Sequence, residues 1–60
     1  MSDLRSRFEK IKNISKRIKR SKLGFEDDMD EYHTKSINQE AIYDEMYVNG
    51  AWFMFQKLNK

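Results

Sequence analysis

Two stretches of this chain carry helical periodicity, and an acidic stretch lies between them. In the first, Leu4, Phe8, Ile11, Ile14 and Ile18 recur at spacings of 4, 3, 3 and 4. At about 100° per residue they share an arc about 120° wide, the stripe an amphipathic helix turns toward a core. The pattern predicts a helix over residues 3–21. Ser2 stands at the N-cap position, and Asp3 suits the positive end of the helix dipole. Gly24 follows a last turn rich in lysine and arginine, where a C-cap glycine belongs.

The C-terminal stretch predicts a second helix over residues 36–58, with Ser36 and Gln39 at the spacing of a capping box. Ile37, Ala41, Val48, Ala51, Trp52, Phe55 and Leu58 fall on one side of it. Ile42, Met46 and Phe53 lie nearly opposite, with Tyr43 and Met54 beside them. A helix apolar on two sides must have both covered. The first helix can cover one, against Val48, Ala51, Trp52 and Phe55. The other is left for a partner, a second subunit or the acidic connector. Gly50 disfavours a helix interior by about 1 kcal/mol relative to alanine. It marks either a close approach of another helix or a break. Because Asn-Gly is a hairpin signal, and Tyr, Val, Trp and Phe favour strands, a β-ribbon over 46–55 is the alternative.

The connector, residues 22–35, is ambiguous. Phe25, Met29 and Tyr32 are spaced 4 and 3 apart, which suits a helical turn as well as a loop. The expected fold is therefore all-α: a helical hairpin of two long helices with a short acidic connecting segment or short third helix, in a single domain. A domain of 60 residues buries only about 60% of its unfolded surface, so its core is marginal and dimerisation is a natural supplement.

Charge sharpens this picture. Residues 1–24 hold nine basic and two acidic residues, and residues 25–60 hold three basic and eight acidic, for a net charge of +2. Such asymmetry marks a binding face, an internal pairing or a contact between subunits. The basic run from Lys10 to Lys22 makes nucleic acid a candidate partner, because phosphate neutralisation releases counterions. Lys10, Lys16, Arg17 and Arg20 are the expected outward contacts, with Asn13 able to reach a base edge or phosphate. No helix-turn-helix, finger or zipper pattern supports a docking geometry. The same helix could lie on a membrane surface, but no apolar run reaches the roughly 20 residues of a span. The N-terminus lacks a secretory apolar core, which leaves the cytoplasm as the expected location.

Chemistry finds few residues to act with. There is no cysteine and one histidine, His33. That leaves no nucleophile–base set, no thiolate zinc site and no histidine metal cluster. The acidic run Glu26–Glu31 lacks the central glycine and spacing of a calcium loop. No catalytic, cofactor or metal residues are expected, and the chain reads as a non-enzyme.

The stretch Tyr47–Lys57, with its Ala51-Trp52 pair, two further residues, Phe55 and Gln56, resembles the C-terminal signature of small phage-encoded proteins such as those of the exo–xis region of lambdoid phages. Several of these carry an upstream Phe-Glu pair, as Phe8-Glu9 does here. The resemblance covers about a third of the chain and departs from the pattern in its very basic first helix. It implies an early accessory protein that acts on host physiology by binding a host factor, with no reaction. The expected protein interface is Ile42, Met46, Phe53 and Trp52. Trp52 with Phe55 reads either as hairpin core or as an exposed docking patch.

Overall fold

In a computed structural model residues 3–59 are described. They form α1 (Asp3–Glu9), α2 (Lys12–Ser21), β1 (Gly24–Glu26), β2 (Glu31–His33) and α3 (Gln39–Leu58). The all-α expectation is thus wrong: the architecture is mixed, with helices flanking a small antiparallel hairpin. Ser2, expected as an N-cap, lies outside the described residues.

The predicted first helix is two helices that meet at Lys10–Ile11. Lys10 and Ile11 donate to Arg7 and Phe8 at 3.3 and 3.1 Å, the tightening of a helix end. Ile11 then takes an extended conformation (φ −63°, ψ 127°) with no side-chain cap. No proline or glycine marks the bend, and its cause is tertiary. Phe8 must reach the aromatic core while α2 swings to bring Arg17, Arg20 and Ser21 against α3. Ile11, expected in the core, is turned out by the bend and is 42% exposed. At the far end of α2 the C-cap is Lys22 in the left-handed region (φ 51°), with Leu23 N–H donating to Ile18 at 3.0 Å. Gly24, the expected cap, instead opens β1 and has no positive φ. A non-glycine residue in that region carries a strain of about 1 kcal/mol.

The connector holds the hairpin that the sequence did not reveal. Gly24 pairs with His33, Phe25 with Tyr32 and Glu26 with Glu31. Residues 27–30 form the turn, with Met29 N–H on the Glu26 carbonyl at 3.3 Å and Asp30 at φ 56°. A two-stranded ribbon is marginal alone, and Glu26 opposite Glu31 adds like-charge repulsion. α3 supplies the support. The Asn49 side chain accepts from Tyr32 N–H at 2.6 Å and donates to the Tyr32 carbonyl at 2.9 Å, taking the place of a third strand. Glu45 accepts from Thr34 N–H at 2.8 Å. Trp52 Nε1 and Gln56 Nε2 both donate to the Asp30 carboxylate in the turn, at 3.2 and 2.9 Å.

α3 runs unbroken through Gly50, so neither a break nor a ribbon over 46–55 forms. It starts three residues later than expected. Asn38, not Ser36, is the N-cap, accepting from Ala41 N–H at 2.8 Å. Ser36 instead binds the Asn38 side chain at 2.7 Å. The core is Phe8, Ile14, Leu23, Tyr32, Val48 and Trp52, with Leu4, Ile18, Phe25, Ala51 and Phe55 packed around it. Its centre is aromatic: the Phe8 ring lies 5.0 Å from Trp52 and 5.3 Å from Phe55. Phe25 meets Tyr32 edge-on at 5.0 Å.

Candidate interaction surface

The two charge-rich halves of the chain meet inside the fold, at Asp44. This residue lies on the apolar strip of α3, one turn from both Ala41 and Val48, and is 0% exposed. A buried carboxylate must be paired and hydrogen-bonded. Arg20 grips it through two bonds, Nε to Oδ2 at 3.0 Å and Nη2 to Oδ1 at 2.8 Å. Arg17 Nη1 donates to Oδ1 at 2.9 Å, and Ser21 Oγ donates to Oδ2 at 2.5 Å. The Arg20 bond chiefly holds the Asp44 carboxyl far below the usual carboxylate range, with the Ser21 and Arg17 bonds adding to it against the opposing effect of burial. The Arg17 guanidinium also stacks on the Tyr47 ring at 4.0 Å. Arg17 and Arg20, expected to face a nucleic acid, are therefore committed to the protein's own interior. The signal was present as a lone acid on an otherwise apolar strip.

A second polar bond crosses the core. Tyr32 Oη donates to Glu9 Oε2 at 2.7 Å. Burial first, and this bond second, raise the Tyr32 phenol pKa well above its ordinary value. His33 sits half-buried between Glu31 (3.5 Å) and Glu45 (3.7 Å), beside no nucleophile arrangement. Among the described residues, no three His, Asp or Glu side chains converge as a metal site would require.

What the fold leaves uncovered is the outer side of α3. Ile42, Met46 and Phe53 are exposed there, together with Tyr43, Tyr47, Met54 and Leu58; Met46 reaches 69% and Phe53 58%. Taking about 150–250 Å² for each large side chain, these seven present on the order of 900 Å² to solvent. The largest apolar patch on a typical monomer is about 300–600 Å². Gly50 lies in the middle of this surface, and a Cβ placed there meets nothing within 4 Å. Beside it, the bend at Ile11 opens an apolar groove of about 310 Å³ whose lining includes Ile11, Tyr47, Met54 and Leu58.

Trp52 does not belong to this surface. It is 4% exposed, about 100° around α3 from Phe53, and its ring closes the core. The Ala51-Trp52-x-x-Phe55-Gln56 stretch is thus a device for holding the hairpin: Trp52 and Phe55 pack on Phe8, while Trp52 and Gln56 clamp Asp30. On α2, Lys12, Lys16 and Lys19 share the solvent side with Asn13, near Lys10, all of them exposed. Among the described residues these lysines take part in no ion pair. No described helix is long and apolar enough to cross a membrane.

No protein-family model matches the chain, and neither a curated protein nor a solved structure matches it significantly.

Proposed function

We propose that the chain is a non-enzymatic protein-binding module whose contact surface is the outer side of α3. The observation that carries this is the size of the apolar patch around Met46, Gly50 and Phe53 on a chain with so small a core. Hydrophobic burial drives protein association. Methionine and aromatic side chains, which supply most of this patch, are enriched in interface cores. In the setting the phage-like signature implies, the protein bound is a host factor and the chain is an accessory regulator of host physiology.

Methionine oxidation tests the reading within one molecule. Met46 and Met54 lie on the proposed surface, and Met29, 60% exposed, lies on the hairpin turn away from it. In extract of the source cells, Met46 and Met54 should be protected from peroxide several-fold relative to Met29, and Met46→Glu with Phe53→Ser should expose Met54 again. Equal oxidation of all three in extract would remove the binding role.

The row of unpaired lysines on α2 supports a second reading, a small nucleic-acid-binding regulator, with a revised contact set. Lys12, Lys16 and Lys19 replace Arg17 and Arg20. About three phosphate contacts give a log–log salt slope near −3 on duplex DNA. Lys16→Ala should reduce that slope by about 1, whereas Lys35→Ala, away from α2, should leave it unchanged. A filter-binding titration that finds no complex at low salt eliminates this reading.

A further inference from the structure

The outer side of α3 has a repeat as well as an area. Tyr43, Met46, Gly50, Phe53 and Lys57 follow one another at spacings of 3, 4, 3 and 4, the seam spacing of helices packed at a shallow angle. We propose that the occupant of this face is a second copy of the same chain, joined through an antiparallel pair of α3 helices that cross at Gly50. This rests on the binding reading above and puts a second copy, in place of a host factor, on this face.

Three features favour a copy of the chain over another partner. First, a two-fold interface must be self-complementary, and pairing about Gly50 meets that demand. Met46 then stands level with Met54 of the other copy and Tyr47 with Phe53, so apolar groups meet on either side of the crossing. Second, among the described residues the only charge on the seam is Lys57, which already lies 4.7 Å from the Phe53 ring in its own chain. Antiparallel pairing sets Lys57 against the Tyr43 ring of the second copy, a cation–aromatic contact. Parallel pairing would set Lys57 against Lys57. Third, the exposed surface, on the order of 900 Å² per copy, matches the about 800 Å² each partner gives to a stable interface. Gly50 makes the crossing close: with no Cβ and nothing within 4 Å, two backbones can meet there.

The absence of cysteine makes the test clean. Gly50→Cys places a lone thiol at the crossing without meeting any atom of its own protomer. If the crossing is at residue 50, the two Cα atoms fall within reach of a disulfide, about 4.4–6.8 Å. Mild oxidation should then give a covalent dimer at least tenfold faster than Lys12→Cys, whose thiol lies on α2. Tyr43→Cys mixed with Lys57→Cys should give the mixed disulfide in excess of either homodimer. Gly50→Leu should hold the helices apart and weaken the dimer in sedimentation equilibrium by at least tenfold, with the protomer's circular dichroism unchanged. Met46 in the purified wild-type protein should become protected from oxidation as concentration rises. A monomer at every concentration, or Gly50→Cys cross-linking no faster than Lys12→Cys, overturns the self-pairing. If Met46 is then protected in extract alone, the face belongs to a different protein and the binding reading stands. If it is protected in neither, both fall.

Discussion

Asp44→Ala is expected to destabilise the protein by about 2–4 kcal/mol, enough to leave much of the population unfolded at room temperature. Removing one member of a buried charge cluster costs about 3–5 kcal/mol where the partners stay buried. Here the estimate is lower because the Arg17 and Arg20 side chains are 25% and 37% exposed and can regain water. Ser21 Oγ cannot, since its residue is buried, and an orphaned buried hydroxyl adds about 1 kcal/mol or more. A domain of this size rarely holds more than about 3–5 kcal/mol in total, so the loss is comparable to the whole. Thermal melts followed by circular dichroism at neutral pH measure it directly. Glu40→Ala is the control: Glu40 lies 3.9 Å from Arg20 but is 65% exposed, and such pairs contribute at most about 1 kcal/mol. Equal melting temperatures for the Asp44 and Glu40 variants would mean that the buried cluster does not hold the fold.

The same cluster sets a direction for acid. The Asp44 carboxyl titrates lower folded than unfolded, so the unfolded chain binds the proton more readily. Its contribution is complete above the ordinary aspartate range of about 4 and drains away as pH falls from about 5 toward the lowered folded value. Wild-type stability should therefore fall more steeply with acid than that of any Asp44→Asn protein that remains folded.

Residue by residue, the sequence disclosed the elements that depend on long periodicity and hid those that depend on tertiary partners. The stripe through Phe8, Ile14 and Ile18 is real, and the length of α3 follows from an apolar pattern sustained over five turns. The bend at Ile11 could not be read, because nothing local breaks the helix there; the demands of Phe8 and of Arg20 at two separate places on α3 do. The hairpin was hidden for a related reason. Strands of three residues carry almost no alternation, and the Phe25–Tyr32 pairing is secured by Asn49, seventeen positions beyond Tyr32. Helical spacing correctly put Arg17 and Arg20 on a polar face, yet whether such a face meets water or a buried acid depends on the opposing helix. On α3 the wheel separated Phe53 from Trp52, but the frequency of tryptophan among interface hot spots drew Trp52 into the candidate interface, where it does not lie.

That separation yields the sharpest contrast available on this chain. Trp52→Ala should cost about 3–5 kcal/mol, the range for deleting a large buried aromatic, and should abolish cooperative unfolding. The ring touches Phe8, Phe25, Tyr32 and Phe55, and its Nε1 shares the hold on Asp30 with Gln56. Its loss would empty the centre of the core and loosen the hairpin turn at once. Phe53→Ala, one position along, removes a side chain that is 58% exposed and whose ring lies 4.7 Å from the Lys57 ammonium. In dilute solution it should shift stability by less than about 1 kcal/mol. Association should respond in the reverse order. Phe53→Ala should stay folded and lose partner contact, whereas Trp52→Phe, which refills most of the cavity, should be weakened by the missing bond to Asp30 but still associate once folded. Denaturant titrations of the three variants, paired with sedimentation, separate the two roles. If Phe53→Ala unfolds the protomer as Trp52→Ala does, the outer side of α3 is part of the core and cannot be the binding surface.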